Sequence, residues 1–266
     1  MQYLFREWQT LSAEIRVAPH LLLLSDYDGT LTPIVGRPIE AILSPDVREK
    51  LCDLAQKPTV TVGIISGRSM AELKFMVSIE GIYYAGNHGL EIEGPGISFI
   101  SQPAETARAT IADLARQLSA ALNSIDGVIV EDKGLSLSVH YRLVKKEAEK
   151  QVADTFQRIT SPLLSQKKIR ITSGKKVWEV RPPIDWHKGK AVEAIIREIK
   201  ALLNLEQVLT VYLGDDTTDE DAFRVAHRPD GWSVFVGGEN DSSDADYFLN
   251  STNEVESLLS RLVEVR

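Results

Sequence analysis

Four consecutive leucines, Leu21 to Leu24, run straight into Ser25 and Asp26, and no other stretch of this chain restricts its fold as tightly. A short apolar run with no polar alternation fits a strand buried on both faces, and such strands belong to parallel sheets covered by helices on each side. The run is far too short to cross a bilayer. The same rhythm continues downstream. Ser44-Pro45-Asp46 supplies an N-cap and a proline for the first turn of a helix that reaches Ala55. Thr59 to Ile65 reads as a strand, Ser66-Gly67-Arg68-Ser69 opens another helix, and Ile82 to Ala85 gives a third strand before Gly86-Asn87-His88-Gly89. Ahead of all this, residues 1–17 carry apolar side chains at helical spacing.

Between about Pro103 and Pro183 the alternation gives way to helix, strand pair, helix, strand pair, the pattern of an antiparallel sheet covered by helices. The expected elements are helices over 105–122 and 145–159 and strands over 128–131, 135–141, 169–172 and 176–180. After Pro182-Pro183 the parallel rhythm returns with a helix over 188–203, a strand over 208–213, a helix over 219–226 and a strand over 233–236. A chain of 266 residues is long enough for such an arrangement. The expectation is a doubly wound α/β core, residues 1–102 and 184–266, interrupted by an α/β domain over 103–183. Ligands in open α/β sheets gather at the carboxyl ends of the strands.

Composition narrows the partners. With 38 acidic and 30 basic residues the net charge is −8, which speaks against a nucleic-acid or anionic-membrane surface. Cys52 is the single cysteine, the N-terminus lacks a secretory pattern, and no apolar run is long enough to cross a membrane. The compartment expected on these grounds is the cytoplasm.

Four motifs carry chemistry, and each has a plain alternative. Asp26-Tyr27-Asp28-Gly29-Thr30 sets two carboxylates two residues apart after the buried strand, beside a glycine able to turn sharply and expose backbone N–H groups. A lone Asp-x-Asp is ordinarily only a turn. Ser66-Gly67-Arg68 offers a hydroxyl and helix N-terminal amides to an anion, or merely a helix cap. Lys188 stands at the start of a helix, where its charge opposes the dipole; it is either a solvated lysine or a cation held for a phosphoryl group. Gly214-Asp215-Asp216-Thr217-Thr218-Asp219-Glu220-Asp221 crowds carboxylates at one strand end. Asp219 suits a hydrated first helical turn, but Asp215 does not. An oxygen-only donor set points to a hard cation, magnesium before zinc.

In this order the four motifs resemble the haloacid dehalogenase superfamily of phosphohydrolases. Asp26 to Ile34, Gly86-Asn87-His88-Gly89 and the run from Gly214 to Phe223 resemble the trehalose-6-phosphate phosphatase family. So do Val130 to Leu135, His140-Tyr141-Arg142 and Glu179 to Pro182 in the insertion. The resemblance implies a nucleophile at Asp26, a general acid and base at Asp28, and Lys188, Gly29, Ser66, Gly67 and Arg68 around the phosphoryl group. It implies Mg²⁺ held by Asp26, Asp28 through its carbonyl, Asp215 and Asp219, the last through water. Asn87, His88, Glu131, Lys133, Arg142 and Glu179 would contact the sugar, with the insertion acting as a cap. For each charged residue of the insertion, ordinary strand-face charge is an equal alternative. A trehalose-phosphate synthase is the pathway partner implied. Sucrose phosphate, glucosylglycerol phosphate and a glycosyl phosphoglycerate are rival substrates, and a catalytically inactive sugar-phosphate sensor is a rival of another kind. A receiver domain also combines acids, a hydroxyl and a lysine on a doubly wound sheet, but it needs no inserted lid.

Overall fold

Leu21–Ser25 lies fully buried near the middle of a nine-stranded sheet. The computed structural model describes residues 1–238 and 242–266. It divides the chain into Met1–Phe99 with Trp186–Arg266, and Ile100–Asp185.

In chain order the elements are β1 (Gln2–Tyr3), α1 (Trp8–Val17), β2 (Leu21–Ser25), α2 (Pro45–Ala55), β3 (Val60–Ile65), α3 (Met70–Val77), β4 (Tyr83–Gly86), β5 (Glu91–Gly94) and β6 (Ile97–Ile100). The inserted unit contributes α4 (Gln102–Leu122), β7 (Ile129–Asp132), β8 (Leu137–His140), α5 (Lys146–Ser165), β9 (Arg170–Gly174) and β10 (Val177–Arg181). Then follow α6 (Lys188–Leu203), β11 (Leu209–Gly214), α7 (Glu220–Val225), β12 (Gly231–Val236), β13 (Tyr247–Leu249) and α8 (Thr252–Val265). The large sheet has the order β1-β13-β12-β11-β2-β3-β4-β5-β6. Its neighbours from β1 to β4 pair in parallel, and β5 turns back against β4.

Burial on both faces explains the leucine run. Leu21 and Leu23 join a cluster with Leu11, Leu51, Leu73 and Leu258, drawn from α1, α2, α3 and α8. Leu22 and Leu24 face the other way, onto Ala191 and Ile195 of α6 and Phe223 of α7. Alternate side chains of one strand therefore feed two hydrophobic layers, which is why no polar residue interrupts it. The inserted unit has its own core, in which Ile111 and Leu118 of α4 and Val152 and Phe156 of α5 cover Leu137, Val139 and Val180. Its sheet order is β7-β8-β10-β9, antiparallel throughout.

The structure departs from expectation in particular places. The helix after β3 begins at Met70, with Ser69 as its cap, so Ser66 is not the capping serine. Asp219 ends a 3-10 turn over Thr217–Asp219 and α7 starts at Glu220, which turns the Asp219 side chain inward instead of into a hydrated first turn. The short edge strand β1, the pair β5 and β6, β13 and α8 are all absent from the sequence expectation, although Val255, Leu258, Leu259 and Leu262 of α8 repeat at helical spacing and are buried.

His20 sits at the entry to β2, buried, with its Nε2 2.8 Å from Thr61 Oγ1. Burial lowers its pKa below the usual 6.5, and the Arg266 charge adds to that effect. The folded state then binds fewer protons than the unfolded one, so this contribution is present above about pH 6.5 and is lost as the pH falls. Urea midpoints should drop on acidification from about pH 7 to 5, and His20→Gln should show a shallower drop. Parallel pH dependences for the two proteins would contradict this.

Candidate active site

Parallel pairing sets Leu213 of β11 beside Ser25 of β2, and the Asp26 N–H donates to the Leu213 carbonyl at 2.8 Å. The two strand ends deliver Asp26 and Asp215 to one place. From β2 the chain proceeds to β3 on one side, and β11 later fills the other side, so this is the switch point where an open sheet leaves a crevice.

Lys188, the first residue of α6, is not a solvated lysine. It is 2% exposed, and its Nζ lies 2.9 Å from Asp26 Oδ1 and 2.8 Å from Asp219 Oδ1. Asp219 is completely buried and also accepts from the Tyr212 hydroxyl at 2.6 Å and from the Asp216 N–H at 3.2 Å. Gly214 permits this, because a Cβ there would stand 2.4 Å from the Asp219 Cγ. A buried ammonium is tolerated only with paired charge around it. Burial pulls the Lys188 pKa down, but Asp219 and Asp26 outweigh it and hold the group protonated. Burial pushes the Asp26 carboxyl well above the usual carboxylate range; Lys188 opposes that, while Asp219, Asp215 and Asp28 add to it. Burial, then the Asp219 and Asp26 charges, raises the Tyr212 hydroxyl far enough to keep it a donor.

Carboxylate oxygens of Asp26, Asp215 and Asp219 lie within 4.8 Å of one another. Gly29 has φ +85°, and a Cβ on it would stand 2.1 Å from Asp215 Oδ2. The motif glycine is thus required both by its backbone and by the approach of Asp215. Three converging carboxylates with only oxygen donors fit a hard divalent cation, whose charge would relieve their mutual repulsion.

Asp28 presents a carboxyl 41% exposed and is gripped by Arg68, whose Nε and one terminal nitrogen reach its two oxygens at 2.8 and 2.7 Å. Arg68 is therefore bound to a carboxylate where the sequence suggests a phosphoryl contact. Ser66 is buried at the end of β3, and its Oγ accepts from the Arg68 N–H at 3.2 Å. Gly67 lies beneath the His88 imidazole. Asn87 and His88 adopt left-handed backbone conformations at φ 50° and 57°, costing on the order of 1–2 kcal/mol each. The turn is held by Asn87 N–H to the Arg68 carbonyl at 2.7 Å, His88 N–H to the Ser66 carbonyl at 2.8 Å, and Asn87 Nδ2 to Glu91 Oε1 at 2.7 Å. Neighbouring strand ends are thereby tied together.

In the inserted unit Glu131, Ser138, Glu179 and Thr172 stand in one row across the sheet. Lys133 lies 3.7 Å from Glu179, which Arg181 also pairs, and His140 meets Glu131 at 2.8 Å. Glu131 and Glu179 thus flank Ser138 in that row, each paired to a neighbouring side chain. Arg142 does not join the row; it is exposed beyond β8 and donates to the Lys175 carbonyl at 3.1 Å. The sequence motifs give no role to Tyr212, Ser138, His140 or Arg181. Two-residue alternation would have put Ser138 and His140 on the face of Glu179, whereas Tyr212 looks like any other core residue of its strand.

The trehalose-phosphatase family model matches residues 24–253. The probable trehalose-phosphate phosphatase D of Arabidopsis thaliana is 36% identical over 265 residues, covering 95% of this chain and 69% of that protein. Among solved structures, the C-terminal domain of C. albicans trehalose-6-phosphate phosphatase matches with a TM-score of 0.80 and 24% identity, over 99% of this chain and 98% of that one. A haloacid dehalogenase-like hydrolase from Bacteroides thetaiotaomicron matches with a TM-score of 0.60 and 16% identity, over 91% and 99% of the two chains. These two likenesses establish the fold, a haloacid dehalogenase-like α/β arrangement.

Removing the Tyr212 hydroxyl takes one donor from a fully buried carboxylate. Tyr212→Phe should lower unfolding free energy by about 1.5–3 kcal/mol, the usual worth of a hydrogen bond to a charged group. Urea unfolding measures it, and an unchanged midpoint would show that Asp219 does not depend on Tyr212.

Proposed function

The chain belongs to the trehalose-phosphatase family, and on that basis we propose that it hydrolyses trehalose 6-phosphate by passing the phosphoryl group first to Asp26 and then to water. The observation that carries this reading is the buried Lys188 bridge between Asp26 and Asp219, beside Asp215 at adjacent strand ends.

Phosphate monoesters resist hydrolysis, so the dianion must be neutralised, a nucleophile aligned and the departing alkoxide protonated. Asp26 attacks phosphorus and forms an acyl-phosphate, dividing one hard displacement into two easier ones. Asp28 gives its proton to the leaving sugar oxygen. It then takes a proton from the water that attacks phosphorus, and the Asp26 carboxylate departs as inorganic phosphate is released. Lys188 stabilises the ionised Asp26 and the phosphoryl oxygens, with the Ser66 hydroxyl and the amides of Gly29 and Gly67 as further donors. Asp26, Asp215, the Asp28 carbonyl and, through water, Asp219 would hold Mg²⁺, which when bound would supply the remaining positive charge that lets an anionic nucleophile meet an anionic substrate.

Sugar selection falls to the inserted domain acting as a cap, with Glu131, Lys133 and Glu179 as donors and acceptors for glycosyl hydroxyls, Asn87 and His88 from the core, and Arg142 in a lesser part. The substrate's source would be a trehalose-phosphate synthase, and a reducing cytoplasm suits the single cysteine, Cys52.

Steady-state turnover of trehalose 6-phosphate and glucose 6-phosphate, before and after chelation, tests the proposal. The disaccharide should be favoured in kcat/KM by about tenfold or more, and activity should vanish on chelation and return with Mg²⁺. Equal turnover of the two sugars would remove the disaccharide assignment, and full activity without metal would remove the cation.

A further inference from the structure

Arg68 is joined to three separate pieces of chain. Besides the two bonds to Asp28, one terminal nitrogen donates to the Pro38 carbonyl at 2.7 Å, and the other meets Glu72 Oε1 at 2.5 Å. The guanidinium carbon lies 5.3 Å from the centre of the Tyr27 ring. The arginine side chain is 5% exposed, whereas the aspartate it grips is 41% exposed. An exposed Asp28 on a turn would sample several rotamers, and few of them would aim a carboxyl oxygen at a leaving group. A planar fork meeting both oxygens restricts that freedom. The fork itself is set by Glu72, in the first turn of α3, and by the Pro38 carbonyl.

We propose that Arg68 is the positioning residue for Asp28, aiming the general acid and base, and that it does not serve as a phosphoryl ligand. Reaching a phosphate would break charge-assisted bonds to two carboxylates and a bond to a carbonyl around a guanidinium that is itself buried. The inference rests on the role given to Asp28 under the proposed function. Ser69-x-x-Glu72 is the sequence signature of a capping box, yet here the Glu72 carboxylate orients the arginine that orients the acid.

Leaving-group dependence separates the two roles. An arginine bound to the phosphoryl group would serve every ester alike, whereas an aimed acid matters only where the departing oxygen needs a proton. Values of kcat/KM should be measured for p-nitrophenyl phosphate and phenyl phosphate with wild type, Arg68→Lys, Arg68→Met and Glu72→Gln. Inhibition by inorganic phosphate should be measured alongside. Both Arg68 variants should lose about tenfold more on phenyl phosphate, whose phenolate needs the proton, than on the nitrophenyl ester, and phosphate inhibition should be little changed. Lysine keeps the charge but not the fork, so it should not restore phenyl phosphate turnover. Glu72→Gln leaves Arg68 in place and should steepen the dependence in the same direction by a smaller factor. Equal losses on both esters, or a large rise in the phosphate inhibition constant, would overturn the inference while leaving the phosphatase reading intact. A wild-type protein that hydrolyses neither these esters nor trehalose 6-phosphate would instead overturn that reading.

Discussion

A single buried ammonium holds the site together. Lys188 has Asp26 on one side and Asp219 on the other, and neither carboxylate nor lysine could be buried as an ion without the others. The three groups come from distant parts of the chain: Asp26 follows β2, Lys188 opens α6 after the whole insertion, and Asp219 follows β11. The pairing therefore requires that both halves of the interrupted core be assembled. The hydrophobic layers on either face of β2 fix the strand ends within hydrogen-bonding distance, and the ion bridge depends on them. Tyr212, from the strand next to β2, completes the arrangement by donating to the same oxygen of Asp219 that accepts from Lys188.

That bridge also divides labour among the carboxylates. Asp219 spends its oxygens on Tyr212, Lys188 and the Asp216 N–H, which makes it an anchor of the site. Asp215 is brought close by the absent side chain of Gly29 and is only part-buried, which suits a ligand better than an anchor. Asp28 is turned to Arg68. Four acids in two short motifs thus take different tasks according to burial and partner, not according to residue type.

Much of this was legible in the sequence, for physical reasons that can be named. The leucine run announced a strand buried on both faces, and helix α6 is found over the expected residues, Lys188–Leu203, because its apolar spacing is regular. The loss of parallel rhythm announced a differently built insertion. Less visible were elements whose pattern is short or late, such as the β5 and β6 strands and the C-terminal α8. Among site residues, the motifs pointed to Lys188, Asp26 and Asp219 separately, but the ion bridge that joins them was not legible, because the three lie far apart in the chain. Nor was the bond between Arg68 and Asp28, because residues forty positions apart carry no local signal of contact. Tyr212 was hidden because a buried tyrosine in a core strand looks the same whether its hydroxyl is structural or anchors an acid.

The proposed mechanism requires Asp26 to become phosphorylated, and a first-turnover quench of the Mg²⁺-loaded enzyme with trehalose 6-phosphate tests this directly. Acid-quenched protein, digested and mapped by mass spectrometry, should carry one alkali-labile phosphoryl group on the peptide containing Asp26, located on that carboxylate, and it should be absent from Asp26→Asn. Inorganic phosphate released in the first turnover with no phosphoprotein formed, or a phosphoryl group found on a different side chain, would contradict it.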